Sequence, residues 1–154
     1  MPVEQRLKEL GLELPPPPPP AGNYVPGVIS GNLLFMSGCG PRRADGGYLK
    51  GKVGAELSLE QGYESARRVA LNMLANIKLV LGSLDRVERV VKTLGMVNCT
   101  PEFGDTPKVI NGFSDLFVEL LGAERGRGAR SAVGMMALPA QIPVEVEMVL
   151  EIRA

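Results

Sequence analysis

The sequence predicts a single α+β domain of element order ββαβαββ, with both long helices on one face of a mixed sheet. Three observations predict it. Apolar residues recur at helical spacing in two long segments, and shorter stretches between and around them are rich in strand formers. A chain of 154 residues, 45 % apolar and 22 % charged, is also long enough to bury one sizeable core.

The chain opens with Pro2, then Val3, Leu7 and Leu10 at helical spacing before Gly11, which predicts a short helix. Six consecutive prolines at 15–20 follow. Proline lacks an N–H, so this run is a stiff polyproline II spacer that cannot join a ladder. It reads as a strap between the first helix and the domain, with an SH3-type ligand as the alternative. Residues 1–21 are therefore taken as helix and strap, and 22–154 as the domain.

Residues 24–30 and 33–37 read as strands joined by a Gly31-Asn32 turn, and Gly38-Cys39-Gly40-Pro41 ends the second. Glycines and polar residues make 41–55 a surface loop. Ser58 with Gln61 forms a capping box, and Leu59, Gly62, Ala66, Val69, Met73, Ile77 and Val80 mark a helix that stops at Gly82. Val87, Val90, Val91, Thr93 and Val97 predict a strand over 86–98. Thr106-Pro107 starts a second long helix whose face carries Val109, Ile110, Phe113, Leu116, Phe117 and Leu120, ending before Gly122. A glycine- and arginine-bearing loop leads to strands at 130–137 and 144–152, read as a closing hairpin around 138–143.

Lysine plus arginine and aspartate plus glutamate each number 17, so no net field draws in nucleic acid or an anionic membrane. The one dense basic group is Arg125, Arg127 and Arg130. Two cysteines, Cys39 and Cys99, are too few for a disulfide framework and read as thiols of a reducing cytoplasm. The N-terminus lacks the pattern of a signal peptide and no apolar run reaches membrane-spanning length, so a cytoplasmic protein without a membrane partner is expected. There is no histidine, which removes His-based triads, most zinc sites and the usual neutral-pH proton shuttle. Chemistry must come from carboxylates, arginine, tyrosine, thiols, backbone groups or water.

In the last strand Val144, Val146, Met148 and Leu150 alternate with Glu145, Glu147 and Glu151. Neither side of the preceding strand looks fully solvated, which predicts a sheet face covered by another subunit. Arg130 would then sit in a partly buried cleft and need an anionic partner. Its planar guanidinium fits a ligand carboxylate as well as it fits Glu145 or Glu147. A tight reversal at Leu138-Pro139 puts Arg130 opposite Glu147 and diagonal to Glu145; a looser one moves both carboxylates along the strand. The sequence leaves these open.

The segments Asn23-Tyr24-Val25-Pro26-Gly27-Val28 and Gly31-Asn32-Leu33-Leu34-Phe35-Met36-Ser37-Gly38 resemble the opening hairpin of the reactive intermediate deaminase family. This YjgF-like family is also known under the older label L-PSP endoribonuclease. Val109-Ile110-Asn111, Ala129-Arg130-Ser131-Ala132-Val133, Leu138-Pro139 and Val144-Glu145-Val146-Glu147 continue the resemblance in order, from about residue 22 to the end. It implies a chorismate-mutase-like fold, a homotrimer with sites between subunits, and hydrolysis of enamines and imines to 2-keto acids and ammonia without metal or organic cofactor. By position, Arg130 would hold the carboxylate of a small substrate, and Glu145 would position or activate water. Tyr24 would close the pocket, Asn111 would stand in its wall, and the backbone at Gly38 and Ala132 would bond the bound acid. Many family members carry cysteine where this chain has Ala132, glutamine at Cys39 and proline at Asn23. The helix and proline run lie outside the usual family core. A non-catalytic binder of 2-keto acids is the second reading. Ribonuclease activity is a third, opposed by neutral charge, absent histidine and the lack of an aromatic stacking platform.

Overall fold

In the computed structural model, which describes residues 1–154, the ββαβαββ order is present, preceded by a short helix. The elements are α1 (Val3–Glu9), β1 (Gly27–Ser30), β2 (Leu33–Cys39), α2 (Leu59–Leu81) and β3 (Val87–Asn98). They continue with α3 (Thr106–Leu121), the single turn α4 (Ala123–Gly126), β4 (Ala129–Met135) and β5 (Val144–Ile152). The strands form one sheet in the order β1-β2-β5-β3-β4, antiparallel throughout except for the parallel pair β3–β4. It is a mixed-sheet α+β fold, the class the sequence predicts.

Local signals form the elements where expected. Ser58 Oγ accepts from the Gln61 N–H at 3.1 Å and Gln61 Oε1 accepts from the Ser58 N–H at 2.9 Å, closing the capping box of α2. Gly31, with φ of +61°, takes the first central position of the two-residue turn between β1 and β2, where an L side chain would be strained. The α4 turn replaces part of the expected loop. Residues 24–26 lie outside β1, because Pro26 has no N–H for the ladder. Ser37 holds them instead, its hydroxyl donating to Val25 O at 2.6 Å and its N–H to Pro26 O at 2.9 Å. The expected loop 41–55 is not all surface: Val53 is fully buried and bonds through its backbone to Asn98 and Thr100. Asp105, not Thr106, precedes α3; the Thr106 hydroxyl instead donates to Ala132 O at 3.0 Å.

The closing hairpin is the main correction. β4 and β5 do not pair, because β3 lies between them. Arg130 is opposite Thr93 of β3, and Glu145 and Glu147 of β5 are opposite Met96 and Leu94. Neither register considered from sequence occurs. The connection 138–143 carries a 3₁₀ turn with Ala140 and Gln141 at positive φ and crosses over a whole strand, a span of about 10 Å that a tight reversal cannot bridge.

The core lies between the sheet and the two long helices. Leu34, Met36, Val146, Met148 and Leu150 meet Val69, Met73, Ile77, Phe113 and Phe117, all buried. Where α2 crosses α3, Gly112 lets the backbones touch: a Cβ there would lie 2.0 Å from Tyr63 O. Gly112→Ala should therefore lower stability by about 3 kcal/mol or more, a clear fall in melting temperature, because backbone rather than a mobile side chain must move. A melt no lower than wild type would show that the helices can part without loss.

The opposite face of the sheet carries no helix. Val28, Phe35 and Val149 align across β1, β2 and β5, with Val28 56 % and Phe35 45 % exposed. Val133 on β4 adds a further exposed apolar side chain.

Candidate functional site

Side chains along paired strands share a face when they are in register, so the pairing decides where each candidate residue points. Arg130 shares the helix-side face with buried Thr93 and Met148. From the edge strand it reaches α3: Nη1 donates to Asn111 Oδ1 at 2.8 Å and Ser114 Oγ at 3.2 Å, and Nη2 to Pro107 O at 3.4 Å. All three acceptors are neutral, and none of the chain's ion pairs involves Arg130. Asp115 lines the same 370 Å³ cavity but accepts from the Tyr63 hydroxyl at 2.6 Å. That hydrogen bond, with partial burial, pushes the Tyr63 phenol up to about 12. The cavity thus has a guanidinium oriented by an amide and a hydroxyl, with no carboxylate within ion-pair distance of it. Arg127 lines it too.

Glu145 shares the helix-free face with Met96 and Val133. It lines a separate cavity of about 640 Å³, together with Tyr24, Gly38, Cys39, Asn76 and Glu147. This cavity opens where an irregularity between Met36 and Cys39 interrupts the β2–β5 ladder. Burial, and secondly the charge of Glu147, push the Glu145 carboxyl above its ordinary range, and no hydrogen bond from the chain counters this. Gly38 leaves room for it, since a Cβ there would come within 3.1 Å of the Glu145 carboxyl carbon. A half-buried carboxylate with free lone pairs and a raised pKa can take a proton from water. The Cys39 thiol is pushed up to about 12, first by burial and then by Glu145, so it stays protonated and is a poor nucleophile.

Five of the six residues singled out from sequence therefore fall into two groups. Arg130 and Asn111 stand in one cavity; Tyr24, Gly38 and Glu145 stand in the other. Ala132 lines neither, and its carbonyl is engaged by Thr106. Within one chain Arg130 and Glu145 are on opposite faces with β3 between their strands, so one ligand cannot bridge them there.

Sequence reasoning missed two asparagines on α2. Asn72 Nδ2 donates to Gly40 O at 3.0 Å and Arg42 O at 3.1 Å, fixing the chain beyond β2. Asn76 lines the Glu145 cavity, 7 % exposed, with Nδ2 3.9 Å from the Cys39 sulfur and Oδ1 unpartnered. The signal was legible: two amides spaced i, i+4 inside the stripe of Val69, Met73 and Ile77. Tyr48 and three prolines of the strap, which also line this cavity, carried no such signal.

The basic trio does not make one patch. Arg125 donates to Glu88 O at 2.7 Å and Val87 O at 2.6 Å and serves β3 structurally. No three carboxylates or thiols come together in a way that could hold a metal ion. No helix is long and apolar enough to cross a membrane.

Residues 4–150 match the family described as "YjgF/chorismate mutase-like, putative endoribonuclease". Protein TCP17 of Trypanosoma cruzi is 43 % identical over 150 residues, covering 97 % of this chain and 94 % of its own. The crystal structure of Atu1372, a protein of unknown function from Agrobacterium tumefaciens, is 42 % identical with a TM-score of 0.87 over 99 % of this chain and 92 % of that one. RidA from an Antarctic Psychrobacter is 28 % identical with a TM-score of 0.61, covering 88 % of this chain and 93 % of that one.

Proposed function

Because this chain belongs to the YjgF/chorismate-mutase-like family, we propose that it hydrolyses reactive enamines and imines, as 2-imino acids, to 2-keto acids and ammonia. On this reading the work is done in clefts between the chains of a homotrimer. The observation that carries the reading is the division of the site: a guanidinium with no carboxylate ion-paired to it on one face, and a carboxylate without a donor on the other. Each is open to a partner of the other's kind. A second chain laid on the helix-free face, where Val28 and Phe35 are exposed, would cover apolar surface and could bring the two halves together.

In such a cleft Arg130 binds the substrate carboxylate in bidentate fashion, with Asn111 and Ser114 fixing the guanidinium plane. Glu145 takes a proton from water as the water oxygen bonds to the imine carbon, and the C=N π pair moves to nitrogen. The proton passes to that nitrogen to give a carbinolamine; Glu145 then carries the hydroxyl proton to the same nitrogen, the C–N bond breaks, and ammonia leaves as the carbonyl forms. Imine and water are thereby converted to 2-keto acid and ammonia. Tyr24 closes the pocket. Its hydroxyl already accepts from the Ala21 N–H at 3.1 Å, leaving its own proton to donate to water or substrate.

The test is ammonia release from freshly generated 2-imino acids, combined with subunit mixing. Arg130→Ala and Glu145→Gln should each keep no more than about a hundredth of wild-type activity alone. Unfolded together in equal amounts and refolded, they should regain up to about a quarter of wild-type activity, the fraction of random interfaces that pair an intact Arg130 with an intact Glu145. No recovery would sink the shared cleft. Stabilisation by 2-keto acids with hydrolysis at the buffer rate would instead mark a non-catalytic binder.

A further inference from the structure

The Glu145 cavity is larger than a small 2-imino acid requires. Its volume of about 640 Å³ falls in the range that encloses drug-sized ligands. Its polar groups, Glu145, Glu147, Asn76 and Ser37, leave much of the wall to carbon: Pro18, Pro19 and Pro20 of the strap, Tyr24, Tyr48 and Ile142. No lysine or arginine lines it.

The strap is held at both ends. On one side α1 buries Val3 and Leu7 in the main core, and Glu4 pairs with Lys78 at 2.9 Å and accepts from the Leu84 N–H at 3.1 Å. On the other, the Ala21 N–H donates to the Tyr24 hydroxyl. Between them, Pro15 and Pro18 are half-buried while Pro16, Pro17, Pro19 and Pro20 are exposed, the three-residue period of a polyproline II helix resting one edge on the domain. A stiff wall of this kind loses little freedom when a ligand packs on it, and its rings offer apolar contact without a backbone donor.

We propose that the strap, with Tyr48 of the same cavity, forms a subsite for a large apolar or aromatic substrate side chain, and that this subsite sets specificity. The proposal rests on the imine-hydrolase reading for the reaction, while the subsite itself is a binding site that can be read without turnover. An acidic side chain would face Glu145 and Glu147, and a small one would leave the wall wet.

The test compares 2-imino acids generated from alanine and from phenylalanine, and the corresponding keto acids pyruvate and phenylpyruvate as ligands. Wild type should favour the phenylalanine-derived substrate by at least about tenfold in kcat/KM and bind phenylpyruvate at least about tenfold more tightly than pyruvate. Joint replacement Pro18→Gly, Pro19→Gly and Pro20→Gly keeps the length but removes the rings, and should bring both ratios down to about threefold or less, with the loss on the larger ligand. Tyr48→Ala, which leaves the strap intact, should shift the ratios the same way and covers the case in which the triple variant does not fold. A wild type that prefers the alanine-derived compound, or ratios unmoved in the folded variants, overturns the subsite and leaves the reaction standing. Hydrolysis at the buffer rate with strap-dependent phenylpyruvate binding overturns the reaction and leaves the subsite standing.

Discussion

Arg130→Ala should lower kcat/KM for 2-imino acid hydrolysis by about 10²- to 10³-fold, the loss expected when a bidentate charge-assisted contact to a carboxylate is removed. The fold should survive the change. Arg130 sits on an edge strand, half-exposed, and bonds three neutral acceptors, all of them on partly or fully exposed residues. Their loss is worth about 1–2 kcal/mol in all, seen as a melt a few degrees lower. Arg130→Lys separates charge from geometry. It keeps the cation, but a single ammonium cannot match Asn111, Ser114 and a carboxylate in one plane, so it should recover about a tenth or less of the lost activity. If Arg130→Ala melted far below wild type, or kept its activity, the guanidinium would be structural and the proposed carboxylate anchor would fall.

Glu145→Gln carries the second large effect, a loss of about 10²- to 10⁴-fold in kcat with little change in ligand binding, because the amide fills the same space but cannot accept a proton. Stability should move the other way. Burial and Glu147 hold the Glu145 carboxyl above its ordinary range, so the ionised form is disfavoured in the folded state. A raised folded value contributes stability that is fully present below the unfolded carboxylate's value of 4.5 and lost as pH rises through the raised one. At pH 7–8 wild type bears this penalty and Glu145→Gln does not, so the variant should melt at the same temperature or higher. Below the ordinary carboxylate range the two should converge. Wild-type activity should rise with pH along a limb displaced upward from an unperturbed glutamate, and that limb should be missing from any residual activity of the variant. A variant that melts lower at neutral pH, or a limb at the ordinary position, would count against Glu145 as the base.

Much of this was legible in the sequence, for a physical reason. Capping, turns and alternation depend on backbone groups and side chains a few residues apart. Ser58 with Gln61, Gly31 at a positive φ, the apolar stripes of α2 and α3 and the alternation from Val144 to Ile152 all follow from such short-range terms. So did the order of motifs that resembles the family, and with it the choice of Arg130, Glu145, Tyr24, Gly38, Asn111 and Ala132.

Tertiary structure alone decided which strands touch. A period of two puts alternate residues on opposite faces but does not say which face is covered or which strand lies alongside. The 130–137 and 144–152 segments looked like a hairpin because they are close in the chain, yet β3 separates them through burial and pairing over long sequence distances. That separation turns Arg130 toward α3 and Glu145 toward the bare side of the sheet, dividing the candidate site in two. The same long-range packing brings Asn76 and the prolines of the strap to Glu145, contacts that no local pattern encodes because their partners lie tens of residues away.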